Sequence, residues 1–523
     1  MESTPAVSFF DFGHREPHAR LRARLGGKGF SLWLMCHELG LPVPPGFTIE
    51  TGQCHPYLRE GLREPLKRDI DQAMAVVERE LGRRFGDRSD PLLVSVRSGA
   101  AASMPGMMDT VLNVGMTLAN AEALAEATAN PVFALRSYLR FLVTSASTVH
   151  GLDLGRRPVL PDNVATLRED IAAVRSAILA LPAGVSLDDP WAQLFDAIGA
   201  VFRSWNSPRA IAYRERAHVE DANGTAVTVQ AMVFGNLDQR SGTGVAFTRN
   251  PSTGEPAPCG DFLFCAQGDD VVGGGSRTLP LQAFEQAMPD VYRELVSAMD
   301  RLETYYRDMC DIEFTVERGR LWLLQARTGK RSPLAAPRIA VDLVREGRVG
   351  LQPAEAAARM DPELLSGATS IARASTEGAP IAGGLGVSPG SATGKIVFDP
   401  NRAVELAEAG EDVLLVRRET SPEDVHGMGV AKGILTTLGG MMSHAAVVAR
   451  AWGVPAVCGV VGAEIDGVSL RCGEAVYREG DILSIDGDTG AVYAGAIASH
   501  VAVDPYLVTL REWASSATDR APT

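Results

Sequence analysis

Between residues 432 and 461 the sequence writes a strand, a tight turn, a helix and a second strand in one pass, and this stretch constrains the fold more than any other. KGILTT reads as a strand, and Gly439-Gly440 turns the chain. Ser443 is a good helix N-cap, AAVVARAW is the helix, and Gly453 and Pro455 end it before PAVCGV begins the next strand. His444 therefore falls in the first helical turn, beside glycines that leave room for a ligand. A helix N-terminus has free backbone N–H groups and favours negative charge, so it suits a phosphoryl group and keeps imidazole neutral and nucleophilic. The competing reading is a histidine that merely packs or caps. The other histidines stand isolated, with no HxH, HExxH or cysteine partner at metal-ligand spacing.

The same alternation of strands and helices fills residues 385–505 as a compact unit: GKIVF, DVLLVR, KGILTT, PAVCGV and DILSID are its strands. Residues 506–523 read as a short tail, a terminal helix. Upstream, 366–384 is rich in Ser, Ala, Gly and Thr and reads as a hinge. Residues 333–365 read as short helices broken by Pro353 and Pro362.

Two strand-bearing segments flank a helical one in the first 332 residues. PLLVSVRS reads as a buried strand near the start, and GGKGFSLWLM as a glycine loop followed by a helix. From 118 to 215 the pattern is helical, with Val164, Leu167, Ile171, Val174 and Ile178 on one face. Strands return in TAVTVQAMVFG, SGTGVAFTRN, CGDFLFCAQG, DIEFTVERG and RLWLLQAR, the last two a hairpin through Glu317-Arg318-Gly319-Arg320. At 523 residues the chain has room for about three or four domains.

These segments also carry a candidate anion and metal site. Gly26-Gly27-Lys28-Gly29 lets backbone N–H groups and one ammonium approach a phosphate, although the Walker A spacing is absent. Arg97 leaves its strand into a small-residue loop, where a guanidinium can grip a phosphate with two donors. Asp311 and Glu313 alternate on DIEFTV and share a strand face, which is costly unless a cation lies between them; Mg²⁺ carrying nucleotide phosphates is the natural one. Gln325 and Arg327 have the same alternation on the neighbouring strand. Ordinary ion pairs on a solvated strand are the alternative.

Charge narrows the field. The formal net charge is −14, which opposes nucleic acid and anionic membrane as partners. The N-terminus lacks the pattern of a signal peptide, no apolar run is long enough to span a bilayer, and seven scattered cysteines without a CxxC fit reduced thiols, so a cytoplasmic enzyme is expected.

GGKGFSLWLM, VSVRSGAAASMPGMMDTVLNVG, VTVQAMVFGN, GTGVAFTRNPSTGE, AQGDDVVGG, DIEFTVERGRLWLLQAR, VSPGSATGKIVF and GGMMSHAAVVAR resemble, in this order, the pyruvate phosphate dikinase family. The resemblance implies an α/β multi-domain protein: an ATP-grasp nucleotide-binding domain (1–332) with a helical insert (118–215), a linker (333–384), and a swivelling β/β/α phosphohistidine domain (385–505). It implies that ATP gives its β-phosphoryl group to His444 while orthophosphate takes the γ-phosphoryl group, and that AMP and pyrophosphate leave. Lys28 and Arg97 would hold the phosphates, with Gly106 and Thr110 in the loop that covers them. Asp311, Glu313 and Gln325 would arrange Mg²⁺ and nucleotide with Arg327 nearby, and the strand from Gln230 to Val233 would meet the adenine edge. The loop SMPGMMDTVLN resembles the version that uses phosphate rather than water.

Two departures stand out. Where the family has Thr two residues before its histidine, a site of regulatory phosphorylation in some members, this chain has Met442 and retains only Ser443. The family also continues into a pyruvate- and phosphoenolpyruvate-binding barrel of about 250 residues, which nothing here supplies. The expectation is thus an ATP and phosphate half-reaction, the phosphoryl group passing to pyruvate, to a separate acceptor protein or to a small molecule. An antibiotic-type phosphotransferase and a non-catalytic ATP-sensing protein are the other readings. Intact Lys28, Arg97, Asp311, Glu313, Gln325 and His444 speak against the second.

Overall fold

The computed structural model describes residues 6–14, 16–100, 108–154, 163–181, 185–208, 210–211, 214, 224–272, 278–366, 372–374, 379–441, 443–497, 499–501 and 504–518. Contacts divide the chain into two units: residues 1–237 with Trp322–Gln325, and residues 238–321 with 326–523.

The first unit is built on a five-stranded antiparallel sheet in the order Val7–Phe9, Gly46–Ile49, Ala226–Ala231, Val94–Gly99, Thr110–Val114. Its central strand Ala226–Ala231 is buried along its whole length, because helices close over the sheet. Helices Leu118–Thr128, Pro131–Thr144, Val164–Leu179 and Pro190–Ser204 occupy the next stretch, each begun by a side-chain cap: Thr117, Asn130, Asn163 and Asp189 accept from backbone N–H groups of the first turn. Leu167, Ile171, Val174 and Ile178 are buried in one core together with Val96, Val111 and Val229 of the sheet. Full burial of each such side chain contributes about 1.5–3 kcal/mol.

The glycine segment differs from its sequence reading. A helix is already running at His18, since Leu21 and Leu25, four residues apart, are both fully buried; the chain kinks at Gly26, where φ is +67°, and then resumes to Trp33.

The second unit holds a sheet in the order Leu279–Pro280, Cys259–Phe264, Gly242–Phe247, Cys310–Glu317, Arg320–Thr328. Left-handed Arg318 and Gly319 make the hairpin turn between the last two strands. Arg249, only 3% exposed, anchors this sheet to helices Pro289–Tyr306 and Ala335–Glu346 by bonding Glu303 at 2.9 Å and Glu346 at 2.8 Å. Removing either partner would leave a buried charge unpaired, which is strongly destabilising. Pro353 and Pro362 open the short helices Pro353–Ala358 and Pro362–Ser366 rather than break longer ones, the usual place for a residue that lacks a backbone donor. Of the Ser/Ala/Gly-rich stretch, residues 367–371 and 375–378 lie outside the described residues.

The same unit contains a closed seven-stranded barrel in the order Ala382–Ser388, Ala456–Val461, Gly433–Thr436, Val413–Arg417, Ser391–Val397, Ile482–Asp486, Ala491–Ala494. The segment from Ser391 through Val413–Arg417 and Gly433–Thr436 to Ala456 is parallel, so each strand is joined to the next by a crossover, and these carry helices Pro400–Glu408, the short Val425–Met428 and His444–Trp452. A small three-stranded meander, Ala463–Ile465, Ser469–Cys472 and Ala475–Arg478, interrupts the barrel and had no clear sequence signal. Helix Pro505–Thr518 buries Leu510 in a core with Ile339 and Val341. Among the described residues no helix is long and apolar enough to cross a membrane.

Candidate phosphoryl-carrier and nucleotide site

The turn into His444 is shaped by two hydroxyls and a glycine. Thr436 Oγ1 donates to the Leu438 carbonyl at 2.7 Å as the strand ends. Gly440 then passes so close to the second-unit sheet that a Cβ there would lie 2.5 Å from Asp261 Oδ2 and 2.6 Å from Thr278 Oγ1. Ser443 caps the helix by accepting from Ala446 N–H at 3.4 Å. Met442 lies outside the described residues.

His444 opens helix His444–Trp452 and is half-buried. Burial lowers its pKa below the ordinary imidazole value, against the pull of Asp424 and Glu423. The ring is thus neutral at physiological pH, as a nucleophile requires. Its Nδ1 lies 3.0 Å from Thr420 Oγ1. When Nδ1 carries the proton and donates to that hydroxyl, Nε2 holds the lone pair. Asp424 is itself fixed, accepting from Ser421 N–H at 2.8 Å and from Arg417 at 3.2 Å.

The carboxylates stand on the neighbouring sheet of the same unit. Asp311 is 4% exposed, and Arg327 Nε donates to both its oxygens, at 2.9 and 2.8 Å. Burial pushes the Asp311 carboxyl up to about 6; Arg327 opposes this and Glu313 adds to it. Two carboxylates two positions apart on one strand, the desolvated one raised by the charge of the other, form a place where a divalent cation relieves repulsion. Among the described residues no group of three His, Cys, Asp or Glu side chains could hold a metal by itself. The donor set therefore suits a cation that takes its remaining oxygens from phosphate and water, as Mg²⁺ does. Gln325 lies two residues before Arg327 on strand Arg320–Thr328, in the segment that clusters with the first unit.

Within the first unit, Lys28 and Arg97 are neighbours by backbone architecture. The kink at Gly26 is forced: a Cβ there would sit 1.7 Å from the Gly99 carbonyl oxygen. Gly27 N–H donates to the Ala100 carbonyl at 2.9 Å, and Gly99 is so near Lys28 that a Cβ on it would be 3.4 Å from the Lys28 Cβ. The lysine's stem thus lies against the end of the strand that carries Arg97. Arg97 pairs in register with Thr110 and Thr228. Its Nε is buried with no hydrogen-bond partner among the described residues, the state expected of a donor that awaits an anion.

Gln230 is buried on its strand and donates to the Pro44 carbonyl at 3.3 Å, so its amide is occupied inside the fold. Val233 lies just beyond that strand and is half-buried. Gly106 lies outside the described residues. The structure therefore gathers Lys28, Arg97 and Thr110 around one sheet, Asp311, Glu313 and Arg327 on the other, and His444 on the barrel. Sequence reading missed Thr420. It follows the strand Val413–Arg417 in no motif of its own, and only the fold brings it 24 positions forward to the histidine.

Residues 61–279 and 283–347, more than half of the chain, match the family described as pyruvate phosphate dikinase, AMP/ATP-binding domain. Residues 409–490 match the PEP-utilising enzyme, mobile domain. The chain is 46% identical over 527 residues to pyruvate, phosphate dikinase of Rhizobium meliloti (strain 1021), covering 94% of this chain and 58% of that protein. It is 43% identical over 506 residues to that of Clostridium symbiosum, covering 92% and 57%, and 42% identical over 543 residues to pyruvate, phosphate dikinase 1, chloroplastic, of Arabidopsis thaliana, covering 98% and 56%. It thus spans a little over half the length of these relatives. With the nucleotide-domain match running through both sheets and the mobile-domain match enclosing the histidine helix, the chain belongs to the pyruvate phosphate dikinase family.

Proposed function

We propose that this chain transfers a phosphoryl group from ATP to His444, with orthophosphate as co-substrate and AMP and pyrophosphate as products. The observation that carries the reading is His444 itself: a half-buried imidazole with a depressed pKa, seated at a helix N-terminus with Nδ1 against Thr420. In this reading Nε2 attacks the β-phosphorus, the bond to the α-phosphate breaks, and AMP leaves. Orthophosphate then takes the γ-phosphoryl group as pyrophosphate, and the β-phosphoryl group remains on His444. The free N–H groups at the helix start stabilise the phosphate oxygens.

Lys28 and Arg97 hold the triphosphate; the unpartnered Arg97 Nε supports that role. Thr110 opens the strand that pairs with Arg97; with Gly106, which lies outside the described residues, it is assigned to covering the phosphates, and the stretch from Gln230 to Val233 meets the adenine through its backbone, since the Gln230 amide is already engaged. Asp311, Glu313 and Gln325 are the residues that would hold Mg²⁺, and Arg327 fixes the Asp311 carboxylate. When bound, Mg²⁺ would neutralise phosphate charge.

The phosphoryl group then passes to pyruvate or to another acceptor, on a separate chain in this reading. The seven cysteines, none of them joined in a disulfide, support a reducing, cytoplasmic setting. Incubation with β-labelled ATP, Mg²⁺ and phosphate should give AMP and an acid-labile phosphoprotein, and His444→Ala should carry no label. Labelling that persists in His444→Ala would overturn the assignment.

A further inference from the structure

Arg450 is a charged side chain that the reading above leaves without a task. It sits in the last turn of the His444 helix and is 2% exposed. Its Nη2 reaches back to donate to the Met441 carbonyl at 2.6 Å, three residues before the histidine, and its Nη1 donates to the Val387 carbonyl at 3.2 Å. That carbonyl also accepts from Ser252 Oγ at 2.9 Å, a residue of the loop after strand Gly242–Phe247. The guanidinium stands 5.8 Å from the Phe247 ring centroid of the same strand. Among the described residues Arg450 makes no direct ion pair. Burial depresses its pKa to about 10, and the groups that act against this are Cys458, Cys259, Asp261 and Asp311. Both carboxylates belong to the nucleotide-domain sheet, and Asp261 is the residue against which Gly440 is seated.

A buried cation bonded only to carbonyls is expensive unless opposing charge lies within its field. Here that charge comes from the sheet, and the cation comes from the helix that carries the phosphoryl acceptor. We propose that Arg450 is a positioning residue for transfer onto His444: it fixes the turn leading into the histidine through the Met441 carbonyl, and it holds that turn against the nucleotide-domain sheet through the field of Asp261. The inference rests on the phosphohistidine reading of His444. In this proposal Arg450 acts through the Met441 carbonyl rather than on the nucleotide, so its loss should slow the chemical step and leave nucleotide affinity alone.

The test compares wild type, Arg450→Lys, Arg450→Met, Asp261→Asn and the double variant Arg450→Met/Asp261→Asn. The measured quantity is the single-turnover rate of phosphohistidine formation at saturating ATP, Mg²⁺ and phosphate, with the KM for ATP alongside. Arg450→Met should lose at least about tenfold in rate with KM for ATP unchanged, because small displacements of a nucleophile cost that much. Arg450→Lys should recover part of the loss, Asp261→Asn should be slower than wild type, and the double variant should be no slower than Arg450→Met. Wild-type rates in Arg450→Met, or losses that multiply in the double variant, overturn the proposal. If Arg450→Met does not fold, a wild-type rate in Asp261→Asn or Arg450→Lys overturns it equally. Wild-type protein that forms no phosphohistidine overturns the parent reading and this proposal with it, whereas normal wild-type labelling beside unaffected variants overturns this proposal alone.

Discussion

Thr420 Oγ1 and His444 Nδ1 are 3.0 Å apart, and in the proposed reaction this contact leaves Nε2 to face the phosphate. Thr420→Val keeps the shape and removes the hydroxyl. The loss of one orienting hydrogen bond, about 1 kcal/mol, should slow His444 labelling by roughly fivefold. Thr420→Ser should keep most of the rate, and the KM for ATP should not move in either variant. Equal rates in Thr420→Val and wild type would show that the hydroxyl does not orient the ring.

The pH profile of labelling follows from the burial of His444. A depressed pKa keeps the ring neutral at lower pH than a free histidine, so the acid limb should lie below 6.5. Asp424 and Glu423 both raise that pKa, and Glu423 is exposed. Removing its charge in Glu423→Gln lowers the pKa further and should move the acid limb to still lower pH. A limb at or above 6.5 in wild type, or an upward move in Glu423→Gln, contradicts the assignment of His444 as the titrating nucleophile.

Much of this site was readable in the sequence because local rules set it. The Ser443 cap, the helix from His444 and the strand hairpin carrying Asp311, Glu313 and Arg327 all follow from turn residues and alternation within a few positions. What could not be read depends on contacts across the chain. Thr420 meets His444 only because strands Val413–Arg417 and Gly433–Thr436 are parallel neighbours. Arg450 looks like an ordinary basic residue at a helix C-terminus until the barrel closes and buries it. The helix before Gly26 was hidden because two glycines in succession read as a loop, although Leu21 and Leu25 give it a buried face.

Asp311 and Glu313 should control the metal requirement. Asn at position 311 can still accept from Arg327 Nε but offers a cation no charge. Asp311→Asn and Glu313→Gln should therefore each raise the Mg²⁺ concentration for half-maximal labelling by about tenfold or more, the scale of one lost charged ligand. Thermal stability should fall only modestly, because the amide oxygen at position 311 still accepts from Arg327 Nε and Glu313 is not part of that pair. Metal titrations of labelling, run beside thermal melts, check this. An unchanged Mg²⁺ requirement in both variants would remove the two carboxylates from the metal site.

Gly26 offers the sharpest stability test in the first unit. Its φ of +67° disfavours a side chain, and a Cβ would sit 1.7 Å from the Gly99 carbonyl oxygen. Neither partner can give way cheaply. The next residue's N–H is bonded to the Ala100 carbonyl at 2.9 Å, and the strand behind it lies between two others in its sheet. At φ +67° and ψ 170° the backbone lies in a region that essentially only glycine adopts, which costs any other residue about 1–3 kcal/mol, and the collision adds to it. Gly26→Ala should lower the melting temperature by several degrees or prevent soluble expression. It should also weaken ATP binding, because Lys28 is carried by the same kink. Gly52→Ala is the matched control: among the described residues beyond its own chain neighbours nothing lies within 4 Å of an added Cβ, so its melting temperature and ATP affinity should match wild type. A Gly26→Ala protein that melts like the control would mean the kink is not what seats Lys28.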